Sequence, residues 1–139
     1  MSKIDPSTIQ SYLETDYRAD APEPFVLRVG VASAPLARLY RQHRTDCCAF
    51  ITACNPYSWI IGDDANAKRQ LELAQELRAL GLSFFDGVAV HPAEEWPAEA
   101  SFLVLGLPLP AAKTLGEKYE QNAILWCGTE ATPELVLLR

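Results

Sequence analysis

The stretch CAFITACNPYSWIIGDDANAKRQLELAQELRALGLSFFDGVAV, residues 48–90, decides the fold. Cys48 to Cys54 is a nearly unbroken apolar run, the pattern of a short strand buried on both faces. Asn55-Pro56 ends it with turn chemistry. Asp63 or Asp64 then starts a helix in which Ala67, Leu71, Ala74 and Leu77 recur at helical spacing, and Gly81 supplies its stop. Ser83 to Val90 reads as the next strand. A helix between two strands returns the chain across the sheet, so both strands point the same way.

Working outward, Ser101 to Leu107 is a further strand, reached through a loop rich in proline and acid that contains His91, Glu94, Glu95, Trp96 and Glu99. No helix lies in that loop, so the two strands form a long-looped hairpin and run in opposite directions. Pro110 opens a helix carrying Ala111, Leu115 and Tyr119, followed by strands over Asn122 to Cys127 and Glu134 to Leu138 with a turn between. On the N-terminal side, Asp5-Pro6 starts a short helix with Ile9, Tyr12 and Leu13 as its apolar stripe. Ala21-Pro22-Glu23-Pro24 breaks the chain, Phe25 to Val31 reads as a strand, and Ser33 caps a helix from about Ala34 to Arg44. The order α-βαβαβ-βαβ-β predicts an α/β domain, with α+β as the alternative. It describes a mixed sheet of about six strands with helices packed on it, and leaves open a ferredoxin-like βαββαβ tract. Residues 1–20 are expected as a helical segment packed on a single domain over 21–139.

The chain has 139 residues, 49% hydrophobic and 22% charged, which suits one folded domain. Its net charge of −6 argues against a nucleic-acid partner, because Arg38, Arg41, His43 and Arg44 cluster only as the solvated face of a helix whose apolar stripe is Leu36, Leu39 and Tyr40. Five acids and no apolar run in the first 24 residues exclude a secretory leader or anchor there, so no membrane association is expected and the expected compartment is the cytoplasm. Cys47, Cys48, Cys54 and Cys127 form no CxxC pair and have no histidine at ligand spacing. They read as buried small hydrophobes, with Cys54 the one candidate for a reactive thiol. No metal and no cofactor is expected.

The strand directions gather polar residues at one edge. The end of the Cys48 strand meets the start of the Ser101 strand and the start of the Asn122 strand. This brings together Asn55, Ser58, Asn66, Trp96, Glu99, Ser101, Gln121 and Asn122 as a candidate binding set. Amides beside tryptophan suit a flat polar ligand. Three functions compete: a small-ligand-binding or regulatory module at this edge; an enzyme using Glu99 as acid or base with Ser58 or Ser101; and a protein-interaction or homodimer surface built on Trp59, Ile60 and Ile61. His91 is expected to be a solvated loop residue, and Trp126 a core residue.

The runs Phe50 to Ser58, Trp96 to Ser101 and Gln121 to Trp126 resemble a bacterial domain-of-unknown-function family, number thirty-two ninety-three, from about Tyr17 onward. The resembling segments are Asn-Pro-x-Ser, Trp-Pro-x-Glu-x-Ser and Gln-Asn-Ala. Where the family pattern has an aromatic residue before Asn-Pro, this chain has Cys54. The resemblance implies no activity or cofactor, and its segments are those that the strand directions bring together.

Overall fold

The computed structural model describes residues 2–139. Cys48–Ile51 (β3), Asp63–Ala79 (α3), Phe84–Val90 (β4), Glu99–Leu105 (β5), Leu109–Lys118 (α4) and Ala123–Cys127 (β6) form a βαββαβ tract. In it β5 pairs antiparallel with both β4 and β3, and β6 pairs antiparallel with β3, giving the order β4-β5-β3-β6 of a ferredoxin-like sheet. The strand directions match those expected. The sheet is not mixed, however: every neighbouring pair is antiparallel, because each crossover helix skips one strand and the parallel strands never touch.

Three further strands bring the sheet to seven among the described residues, one more than expected. Asp16–Ala19 (β1) and Phe25–Leu27 (β2) extend it beyond β4, and Pro133–Leu137 (β7) extends it beyond β6. β1 lies inside the segment expected to be helical. The N-terminal helix, Pro6–Glu14 (α1), stops at Thr15, and alternating Tyr17 and Ala19 are buried against β4. Four residues give too few periods for alternation to stand out from helical spacing. β2 is likewise shorter than Phe25 to Val31, since the chain turns away at Gly30, whose N–H donates to Pro133 O.

The sheet buries two cores. On one face α3 and α4 cover Ala49, Ile51, Phe102, Val104 and Ile124. On the other, Ala34–His43 (α2) seats Leu36, Leu39 and Tyr40 over Cys48, Phe50, Leu103 and Leu125. Ser33 Oγ accepts from Leu36 N at 3.1 Å, the expected cap, and Arg38, Arg41 and His43 stay exposed. α2 covers only part of its face. The rest lies under α1, which buries none of its own residues, and the space between is where the candidate site sits.

α3 is rotated from the expected stripe. Leu73, Ala74 and Leu77 face the sheet, whereas Leu71 is 56% exposed and Ala67 is exposed. The helical spacing was right but the face was displaced, because the inward face of the first two turns is polar: Asn66, Arg69 and Gln70. Arg69 donates Nε to Ala53 O at 2.6 Å and Nη2 to Tyr119 O at 2.5 Å, and Gln70 Oε1 accepts from Ala53 N at 2.8 Å. They satisfy the N–H and C=O of Ala53, which β3 leaves unpaired when it ends at Ile51, and the Tyr119 carbonyl at the end of α4.

Candidate functional site

A cavity of about 370 Å³ lies between α1, the polar end of the sheet and the β4–β5 loop. Seven of the eight residues gathered by the topology line it: Asn55, Ser58, Trp96, Glu99, Ser101, Gln121 and Asn122. Asn66 stands behind them. Its Oδ1 accepts from Asn55 N at 2.8 Å and its Nδ2 donates to Asn55 Oδ1 at 2.9 Å, which fixes the orientation of the Asn55 amide. Asn55 Nδ2 then donates to Glu99 Oε2 at 2.9 Å.

Glu99 reaches the cavity because it opens β5 on the same face as Ser101, opposite Ala89 of β4. Burial pushes its carboxyl from 4.5 up to about 7, while the Asn55 hydrogen bond, which favours the ionised form, opposes this only partly. Gln121 is 6% exposed, and its Nε2 donates to Cys54 O at 3.0 Å and Tyr119 O at 3.1 Å. Among the described residues, Glu99 Oε1 and Gln121 Oε1 accept no side-chain or backbone hydrogen bond. Both acceptors belong to cavity-lining residues.

The turn Pro56–Ser58 is held in uncommon backbone geometry. Asn55, Tyr57 and Ser58 have φ of 47°, 52° and 65°, and Glu120 across from them has 58°. Tyr57 N donates to Glu120 O at 2.6 Å, so the two strained segments brace each other. Asn tolerates this region; Tyr, Ser and Glu there cost about 1 kcal/mol each. The strain places Ser58 Oγ against Tyr12 OH at 2.5 Å, and Asn122 Nδ2 donates to both, at 3.2 and 3.1 Å. Since that pair shares one hydroxyl hydrogen and accepts two from Asn122, a single hydroxyl hydrogen is left uncommitted.

A family described as "Protein of unknown function (DUF3293)" matches residues 51–124, more than half of the chain. The chain belongs to this family. The DUF3293 segment spans nearly all of the βαββαβ tract and contains the eight topologically gathered residues, but not α1, β1, β2 or α2. No curated protein and no solved structure matches the chain.

The DUF3293 segment therefore supplies the cavity floor, and α1 supplies a roof. Ser7, Thr8, Ser11, Tyr12 and Tyr17 line the cavity, none of them among the candidate binding residues of the sequence, where Tyr12 reads only as part of an apolar stripe. The signal was present. Residues 7, 8, 11 and 12 share one helical face, a hydroxyl stripe; of the expected apolar stripe Ile9, Tyr12 and Leu13, Tyr12 belongs to this polar face and Leu13 is exposed. Tyr17 OH donates to Tyr12 O at 2.7 Å, and Ser11 Oγ donates to Glu95 Oε2 at 3.0 Å, tying α1 to the sheet and to the loop.

His91 is buried at 4% exposure rather than solvated, because its ring organises the loop. Nδ1 accepts from Ala93 N at 3.2 Å and Glu95 N at 3.5 Å, and Nε2 faces Glu14 Oε1 at 3.4 Å and Glu95 Oε2 at 3.5 Å. Glu14, His91 and Glu95 are close enough for a metal ion. With Nδ1 accepting, however, the neutral ring carries its proton on Nε2. A metal-bound imidazole instead donates its other N–H outward. The trio acts as a clasp between α1 and the loop.

Cys54 is buried with Sγ directed to Ala100 O at 3.5 Å, and burial raises its thiol above the ordinary value, the opposite of an activated thiol. Trp126 donates Nε1 to Leu107 O at 2.9 Å and packs in the α3–α4 core. Ser101 Oγ donates to the backbone oxygen of Glu99, and Ser58 Oγ is held by Tyr12 and Asn122, so neither serine touches the Glu99 carboxylate. Among the described residues no helix is long and apolar enough to cross a membrane.

Proposed function

We propose that this chain binds a small polar ligand in the cavity between α1 and the sheet. The observation that carries the reading is a pair of acceptors without a donor among the described residues, Glu99 Oε1 and Gln121 Oε1, on side chains that line a cavity of about 370 Å³. That volume lies within the range of small-molecule sites. The groups that hold these acceptors come from the β3–α3 turn, α3, β5 and the β6 approach, and each donates or accepts in a fixed direction, so the site is built before a ligand arrives. Trp96 adds a flat apolar wall and a buried indole N–H that has no partner among the described residues.

An acid–base enzyme is the weaker reading. Glu99 has a useful proton affinity, but nothing on its carboxylate would serve as an activated nucleophile. The test is a ligand-observed NMR screen of a broad polar fragment library, repeated with Ala123→Trp, which fills the cavity from β6. Fragments whose binding disappears in the variant support the reading; a library with no binder, or binders indifferent to the plug, refutes it.

A second reading rests on exposure. Trp59 is 75% and Ile60 70% exposed, with Ile61 beside them, and Ile60 also lines the cavity mouth. Such a patch suits pairing with a second copy. Sedimentation analysis of the chain and of Trp59→Ser tests it: a dimer lost in the variant supports the pairing, and a monomer at all concentrations refutes it.

A further inference from the structure

The charge lining the cavity is of one sign. Glu95 and Glu99 are its carboxylates, and no lysine, arginine or histidine lines it. The basic groups around it are engaged. Arg69 is spent on Ala53 O, Tyr119 O and Glu120, while His91 Nε2 faces Glu14 and Glu95. Arg139 stacks over the Tyr57 ring at 4.0 Å and reaches Asn122 Oδ1. Glu99 thus faces the cavity with one neutral donor, Asn55, and no counter-ion among the described residues.

A carboxylate withdrawn from water needs a paired charge or a proton. The second acceptor is positioned with the first. Gln121 Nε2 is anchored on the carbonyl of Cys54, and Glu99 on the side chain of the next residue, Asn55, so one turn sets both. Gln121 is more than nine-tenths buried, both of its Nε2 hydrogens are donated, and among the described residues no donor reaches Oε1. The same cavity is lined by Tyr12, Tyr17, Phe50 and Trp96. Aromatic faces attract cations, most strongly where water is displaced.

Resting on the binding reading above, we infer that the ligand is a small organic nitrogen cation bearing N–H groups, an ammonium, amidinium or guanidinium. Glu99 is its counter-ion and Gln121 Oε1 its second acceptor. An anionic ligand would meet two carboxylates and no compensating cation. A hard metal ion would find one free carboxylate, since Glu95 is already held by Ser11, in a wall rich in rings where six or more oxygen ligands are needed. A quaternary ammonium would satisfy the rings but leave both acceptors without donors.

The test is a charge-matched series on the full chain, read by calorimetry and by chemical shifts of the Trp96 indole and Gln121 side-chain amide. Benzamidine and benzylamine are the cations, benzamide and benzyl alcohol the neutral counterparts, and benzoate the anion. At pH 8 Glu99 is ionised, its carboxyl having been pushed up to about 7. We expect the cations to bind about thirtyfold tighter than their neutral counterparts, and Glu99→Gln to abolish that margin while leaving benzamide affected less than about threefold. Benzamide or benzoate binding as tightly as benzamidine would overturn the cation assignment and leave ligand binding standing. A margin that survives Glu99→Gln would overturn Glu99 as counter-ion. No shift of either resonance with any compound would overturn both readings.

Discussion

Replacing Glu99 by glutamine should alter the pH dependence of stability in a calculable way. Burial raises the Glu99 carboxyl from 4.5 to about 7, so between these values the native state holds a proton that the unfolded chain has released. Stability therefore falls as pH rises through this window, and the contribution is flat above it. The full loss is about 3 kcal/mol, of which about 2–3 falls between pH 5 and pH 8. Glutamine keeps an oxygen for Asn55 Nδ2 but cannot ionise. The stability of Glu99→Gln relative to the parent should accordingly rise by about 2–3 kcal/mol from pH 5 to pH 8. In urea unfolding this is a relative midpoint shift of about 1–2 M with unchanged slope. Taking the difference between the two proteins removes the titration of every other group. A difference that does not change with pH would show that the native site leaves the carboxyl unshifted, one that falls from pH 5 to pH 8 would show that it stabilises the carboxylate, and in either case the burial argument would fail.

Three other substitutions probe the framework. Asn66→Ala removes the acceptor of the Asn55 backbone N–H and leaves the Asn55 side-chain oxygen only the long bond from Ile61 N at 3.4 Å, and should cost about 1–3 kcal/mol in urea unfolding. Gly87→Ala places a methyl 2.7 Å from Arg18 O and 2.8 Å from Phe50 Cε2. It should cost about 1–3 kcal/mol and shift the Phe50 ring resonances. Tyr12→Phe removes the hydroxyl shared by Ser58 and Asn122, and should speed amide exchange in α1 while leaving the strands β3 and β5 protected.

The βαββαβ tract was legible because its elements are long or strongly patterned and helical crossovers constrain strand direction. From that direction alone followed the meeting of Asn55, Glu99, Ser101, Gln121 and Asn122. Strand adjacency was not legible: nothing in the apolar run of β3 says that β5 rather than β4 lies beside it, so the antiparallel sheet was mistaken for a mixed one. Short elements failed for a different reason. Asp16–Ala19 becomes a strand through its pairing with β4, a tertiary effect with little local signature. The buried His91 was missed because its burial depends on acceptor and donor partners within its own loop and from α1.

The roof of the cavity follows from the same geometry. A ferredoxin-like sheet with both crossover helices on one face leaves its other face to be covered by something else, and here α2 closes only the part over Cys48, Leu103 and Leu125. The part over Thr52, Glu99, Ser101 and Asn122 is polar, so an apolar helix would bury those groups without partners. α1 avoids that cost by presenting Ser7, Thr8, Ser11 and Tyr12. A helix that contacts a polar floor through hydroxyls packs less closely than one that interdigitates leucines, and α1 accordingly buries none of its residues. Its attachment comes instead from discrete bonds: Tyr12 to Ser58 and Asn122, Ser11 to Glu95, and the Glu14–His91 clasp. Each is worth about 1 kcal/mol and each can be exchanged for water. The cavity and its loosely held roof are thus one consequence of the polar residues at this end of the sheet.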